Sequence, residues 1–134
     1  MKRNGFTLIE ILAVIVILGI LGTIVSINVI KIKDDSMEDL LETKIQNLEA
    51  SAVVYGQENP NILTESCVVD NLNYSSCAKV KVDDLIKGSY FKSTEVNNEG
   101  NVDLINNVTK ESMLNDNIQI YRKNNSIYAK YIGK

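Results

Sequence analysis

Histidine and tryptophan are absent from this chain, and proline occurs once, at Pro60. Without histidine the chain lacks the side chain that most often serves as a general base near neutral pH, and no Ser–His or Cys–His nucleophile can be assembled. The only cysteines, Cys67 and Cys77, cannot by themselves complete a tetrahedral zinc site. Asp83-Asp84 and the Asn97-Asn98-Glu99-Gly100-Asn101 segment carry oxygen ligands, but neither has the spacing of an EF-hand loop. They read as a helix start and a turn. No glycine-rich phosphate loop occurs either, so no catalytic role, cofactor or metal is expected. A formal net charge of −3 gives no general affinity for nucleic acid.

What is present is a long uncharged run. Residues 11–30 contain no charged side chain. About 20 residues as an α-helix rise about 30 Å, the thickness of a bilayer's hydrocarbon core. The preceding MKRNG is shorter than a secretory leader requires, and no A-x-A-like cleavage site follows the run. Lys2, Arg3 and the amino terminus favour a cytoplasmic start, an asymmetry that Lys31 and Lys33 weaken. The body of the protein is then expected outside the cytoplasm, on a single membrane pass.

Glu10 interrupts the grease near its beginning. A carboxylate in a bilayer costs a few kcal/mol at the centre of a helix and less toward an interface. Its nearest relief is the free amides of a helix N-terminus. Cleavage after Gly5 would add a second, because a new amine on Phe6 would lie about one turn away, and the amine of a neighbouring molecule would serve equally. A glutamate snorkelling to the head groups of an ordinary anchor is the simpler reading.

Gly5-Phe6-Thr7-Leu8-Ile9-Glu10, behind a short basic leader and ahead of an unbroken apolar helix, resembles the signal of type IV pilins and pseudopilins. The resemblance implies cleavage between Gly5 and Phe6 by a membrane aspartyl peptidase, followed by methylation of the Phe6 amine. It also implies that Glu10 is the assembly residue, its carboxylate meeting a Phe6 amine as subunits pass from membrane into filament. Glu10 would be poorly satisfied in lipid and would gain a partner only in the bundle. The implied partners are copies of itself and sister pilins, the prepilin peptidase, and a membrane assembly platform driven by a cytoplasmic ATPase. One departure stands out. Many family members carry a proline in the later half of the apolar helix, whereas this chain has Ile27 in that neighbourhood. Gly19 and Gly22 could loosen the helix or serve as close-packing points between helices.

Beyond the apolar run Met37, Leu41, Ile45, Leu48, Ala52 and Tyr55 recur at helical spacing, one apolar stripe of an amphipathic continuation. Asp35, Glu38, Asp39, Glu42, Lys44 and Glu49 read as its solvated face, and Ser36 with Asp39 as a local cap. Gly56 and the turn at Glu58-Asn59-Pro60-Asn61 are expected to end the helix.

The rest reads as a small head. Cys67 and Cys77 bracket VVDNLNYSS, a polar loop; outside the cytoplasm they form a disulfide, and elsewhere two free thiols. VKVDDLIKGSYFK is similar to a strand, helical turn and Gly-Tyr step of pilin-like heads in Gram-positive bacteria, with Val80, Val82, Leu85, Ile86 and Phe91 as core. IQIYRK and SIYAKYI flank Asn124-Asn125, a type I′ turn signal, so Tyr121 is expected opposite Tyr128 and Ile120 opposite Ala129. Ile118, Ile120, Ile127, Ala129 and Tyr131 would then cover the helix stripe. Gln119, Tyr121, Lys123, Tyr128 and Lys130 would face outward, a Lys and Tyr surface with a candidate contact to DNA or another ligand at Tyr121, Lys123, Tyr128 and Lys130.

The expected architecture is α+β: a leader (1–5), an apolar membrane and assembly helix (6–33), its amphipathic continuation (34–55) and a small α+β head with an antiparallel sheet (56–134). The expected function is a structural subunit of a type IV pilus or pseudopilus-like filament, at the cell surface once assembled. The alternative is a membrane-anchored extracytoplasmic binding module that enters no filament.

Overall fold

The computed structural model describes residues 7–134, and over 22–31 the backbone alone. Helix α1 runs from Leu8 to Glu58 without a break. No proline interrupts it, and its end coincides with Asn59-Pro60, since a residue before proline is pushed out of the helical region. The main-chain and side-chain N–H groups of Asn59 both donate to the Tyr55 carbonyl at 3.0 Å, satisfying an otherwise orphaned acceptor. A 3₁₀ turn, Pro60–Ile62, follows.

Two compact units divide the chain between Met37 and Glu38. In the first, the apolar side chains from Leu8 to Leu21 stand exposed all round the helix. That is the pattern of a helix whose solvent or partner is itself apolar. Among the described residues no helix is long and apolar enough to cross a membrane. The expected span includes 22–31, whose side chains, those of Ile27 and Lys31 among them, lie outside the described residues, as do the surroundings of Gly22.

The second unit is α+β. Strands β1 (Glu65–Val69), β2 (Leu72–Lys81), β5 (Asn117–Lys123) and β6 (Ser126–Gly133) form an antiparallel sheet in the order β1-β2-β5-β6. Helix α2 (Val82–Lys87) and a two-stranded ladder, β3 (Glu95–Val96) with β4 (Val102–Asp103), fill the crossover. Ala78, Val80, Ile118 and Ile120 pack with Leu48 and Ala52 of α1, and Leu63, Val82, Leu85, Leu104 and Met113 complete the core. Leu41, Ile45 and Tyr55 of the helical stripe pack against it. Burying a Leu, Ile or Met contributes roughly 1.5–3 kcal/mol relative to exposure, which makes this cluster the main stabilising element of the unit.

The hairpin β5–β6 has the expected register, Tyr121 opposite Tyr128 and Ile120 opposite Ala129. Asn124 and Asn125 take φ of 47° and 66°, as a type I′ turn requires. Several expectations need correction. The segment between the cysteines is no loop but the hairpin β1–β2, turned at Asp70 and Asn71 with φ of 51° and 64°. Gly56 lies within α1, which continues through it to Glu58. Ser36 caps nothing, because its hydroxyl donates back to the Ile32 carbonyl at 2.7 Å inside the helix.

Lys44 and Glu49 leave the solvated face. Lys44 Nζ reaches Glu95 Oε1 at 2.6 Å and the Ile105 carbonyl at 2.7 Å, while Glu49 Oε1 accepts the Tyr131 N–H at 2.8 Å. Both thereby satisfy main-chain groups of the crossover and of edge strand β6. Gln119 also leaves the exposed surface. It lies in register with Lys79 and Lys130, is buried, and donates through Nε2 to the Ala78 carbonyl at 2.9 Å.

Candidate functional site

The first turn of α1 holds the carboxylate that the sequence singles out. Thr7 sits one residue before the helix and Glu10 in its first turn. The Thr7 main-chain N–H donates to Glu10 Oε2 at 2.8 Å, and the Thr7 hydroxyl donates to the same oxygen at 3.0 Å. In return the Glu10 N–H meets Thr7 Oγ1 at 3.4 Å. This is a capping box: N-cap threonine and N3 glutamate each cover a main-chain donor that the helix leaves orphaned. The spacing T-x-x-E ahead of an apolar run is its sequence signature, and the sequence reading missed Thr7 for this role.

The geometry changes one expectation. Glu10 already has a partner within its own chain, so its carboxylate is not held in wait for a neighbour alone. It remains exposed, at a helix N-terminus where the main-chain dipoles favour an anion. From Ile11 to Leu21 no other charge stands on the helix. An anion here can accept an ammonium group without a competing side chain along the following turns. Gly5 and Phe6, the expected cleavage and methylation positions, lie outside the described residues. A Cβ at Gly19 would meet no atom within 4 Å, so the close-packing role would need a helix from another molecule.

The second candidate lies on the sheet face turned away from α1. A bulge sets it up. Glu65 pairs with Cys77 but Cys67 pairs with Tyr74, so the register shifts by one residue in between. The extra residue brings Cys67, Tyr74 and Cys77 onto one face. Cys67 and Cys77 are disulfide-bonded there, their Cα atoms 6.0 Å apart, with Cys77 fully buried. Tyr121 lies between Tyr74 and Tyr128, its ring centroid 4.7 Å from the first and 5.7 Å from the second. Burial, then the neighbouring Tyr74 and Asp70, pushes the Tyr121 phenol above its ordinary value.

Lys130 pairs with Asp70 across the face. The hydrogen bond to Asp70 raises its ammonium above the usual lysine range. Lys123 stands exposed at the far end of β5, opposite Ser126. The structure thus gathers Tyr121, Tyr128 and Lys130 and leaves Lys123 at the hairpin tip. Tyr74 and Asp70 are the members that sequence reasoning missed, because both belong to the hairpin read as a loop.

A family model described as the prokaryotic N-terminal methylation motif matches residues 1–26. No curated protein and no solved structure matches the chain.

Proposed function

We propose that this chain is a structural subunit of a type IV pilus or pseudopilus-like extracellular filament, made as a precursor, cut after Gly5 and methylated on Phe6. The observation that carries the reading is the match of residues 1–26 to the N-terminal methylation motif. It supports a pilin-like precursor, whose role is structural rather than catalytic. The exposed apolar surface of α1 from Leu8 to Leu21, with Glu10 at its head, supports assembly through that helix. Parallel apolar helices pass from lipid into a bundle with little change in apolar solvation. The Glu10 carboxylate would then exchange part of its Thr7 contacts for a Phe6 amine, which sets the register of the incoming subunit. The partners of this reading are copies of the chain or sister pilins, a prepilin peptidase and an ATPase-driven platform, and its location is the cytoplasmic membrane and then the cell surface.

The deciding measurement is the intact mass of the chain in sheared surface material and in washed membranes of the native host. A species beginning at Phe6, heavier by one methyl group and present in the sheared fraction, is expected. A chain beginning at Met1 in a host whose peptidase cuts another substrate would sink the proposal. A second reading, an anchored binding module for DNA or a surface ligand, draws on the Tyr74–Tyr121–Tyr128 stack beside Lys130. The two separate at Glu10→Ala, which abolishes a filament but leaves an anchored binder active.

A further inference from the structure

Beyond the apolar run the charges are unevenly laid out. Along α1, Glu38, Asp39 and Glu42 fall within one side of the helix at 3.6 residues per turn, and all are exposed. Among the described residues none of them has an ion-pair partner. The nearest following cation, Lys44, is spent on Glu95. On the outer sheet face the sign is reversed. Lys79, Lys81 and Lys123 alternate outward with the buried Ala78, Val80 and Ile120 between their rows, and all three are exposed. They too have no ion pair among the described residues.

We infer that the outer sheet face of one copy docks on the acidic stripe of α1 in a second copy, with Lys79, Lys81 and Lys123 meeting Glu38, Asp39 and Glu42. The inference rests on the filament reading and adds a contact between heads to it. From Asn117, the register partner of Lys81, to Lys123 along β5 is roughly 20 Å at the usual strand rise. From Glu38 to Glu42 along α1 is roughly 6 Å, so the outer lysines reach the stripe by leaning inward on their flexible stems. The two surfaces differ, so the contact is heterologous. Each copy keeps a free patch of each sign, so the contact recruits further copies, into an open helical filament where the rotation between copies does not close a ring. A polyanion fits the face less well: Lys130 is already neutralised by Asp70, and Glu65 borders the same strands. The acidic stripe, by contrast, is supplied by every copy in equal number.

The test uses the full-length chain in detergent micelles, as an equal mixture of isotopically light and heavy copies, with zero-length carbodiimide cross-linking and mass spectrometry. Mixed-isotope cross-links joining Lys79, Lys81 or Lys123 to Glu38, Asp39 or Glu42 are expected. They should fall at least tenfold in Lys79→Glu/Lys123→Glu, fall equally in Glu38→Lys/Glu42→Lys, and return when the two reversed chains are mixed. They should also weaken as salt shortens the Debye length from about 10 Å at 0.1 M to about 3 Å at 1 M. Wild-type chains giving no mixed-isotope cross-link at these residues would overturn the inference. So would retention of fluorescent single-stranded DNA that depends on Lys79 and Lys123 while no such cross-link forms. The cross-links are read on purified chains in micelles and the filament reading on the intact mass in sheared surface material, so either can fail while the other stands.

Discussion

A Cβ added at Gly56 would fall 2.8 Å from Cγ2 of Ile120 and 3.1 Å from Cγ2 of Ile127. The sheet approaches α1 so closely at this point that hydrogen is the largest substituent the helix can carry. Gly56→Ala gains about 1 kcal/mol of helix propensity and meets an overpacking cost of about 1–3 kcal/mol, because Ile120 is β-branched, fully buried and fixed in a central strand. The expected net effect is a loss of about 1 kcal/mol, and Gly56→Leu should lose more. Urea unfolding of the full chain in detergent, followed by tyrosine fluorescence, checks it; a stabilised Gly56→Ala would show that the sheet yields.

Lys44 and Glu95 give the second unit a dependence on acid. Burial alone would raise the Glu95 carboxyl, but the Lys44 hydrogen bond, the Ile105 N–H and the Lys44 charge outweigh it and hold the carboxyl below its ordinary value. A carboxyl lowered in the folded state contributes stability that is present above its unfolded value, near 4.5, and is lost as pH falls through the folded value. The wild-type melting temperature should therefore drop more steeply below pH 4.5 than that of Glu95→Gln, with the two curves nearly parallel above pH 6. Parallel curves over the whole range would remove Glu95 from the account.

Much of this fold is legible in the order of the residues alone. The Leu48, Ala52 stripe announces its buried face by helical spacing, and Asn124-Asn125 between alternating strands fixes a hairpin register to the residue. Those are local signals of sufficient length. What escapes the sequence depends on partners far along the chain. Lys44 looks like any exposed lysine until Glu95 and the Ile105 carbonyl are brought to it. Gly56 looks like a stop signal because its reason for being glycine lies on Ile120. The bulge that gathers Cys67, Tyr74 and Cys77 is a register shift, and composition carries no trace of it. At the N-terminus the reverse holds. The T-x-x-E spacing of Thr7 and Glu10 is wholly local, and attention to the cost of a buried charge hid a capping role that the residues spell out.

The Cys67–Cys77 bridge closes a sequence separation of 10 residues across neighbouring strands. In the chain-entropy view such a loop contributes roughly 2–3 kcal/mol. Because β1 is an edge strand, the loss on reduction should concentrate there. Cys67→Ala/Cys77→Ala should lower the melting temperature and collapse amide-exchange protection over Glu65–Val69. The central pair β2 and β5 should keep theirs below the melting transition. Uniform loss of protection across the sheet would show instead that the bridge supports the whole unit.

Thr7 and Glu10 allow the capping role and the assembly role to be separated. Thr7→Val removes the hydroxyl that donates to Glu10 Oε2 and accepts from the Glu10 N–H, but keeps the main-chain donor. Loss of an N-cap side chain costs about 1 kcal/mol, so the first turn of α1 should fray and its amides should exchange several-fold faster, with Thr7→Ser restoring the wild-type rate. Assembly follows a different rule under the filament reading. The Glu10 carboxylate survives in Thr7→Val and meets less competition from its own chain, so surface filament yield should stay within about twofold of wild type, a change of less than about 0.5 kcal/mol. Glu10→Gln keeps an acceptor for Thr7 but loses the charge, and there the filament should fail while the helix start stays protected. Filaments lost in Thr7→Val and kept in Glu10→Gln would reverse the assignment, making the cap the essential element and the charge dispensable.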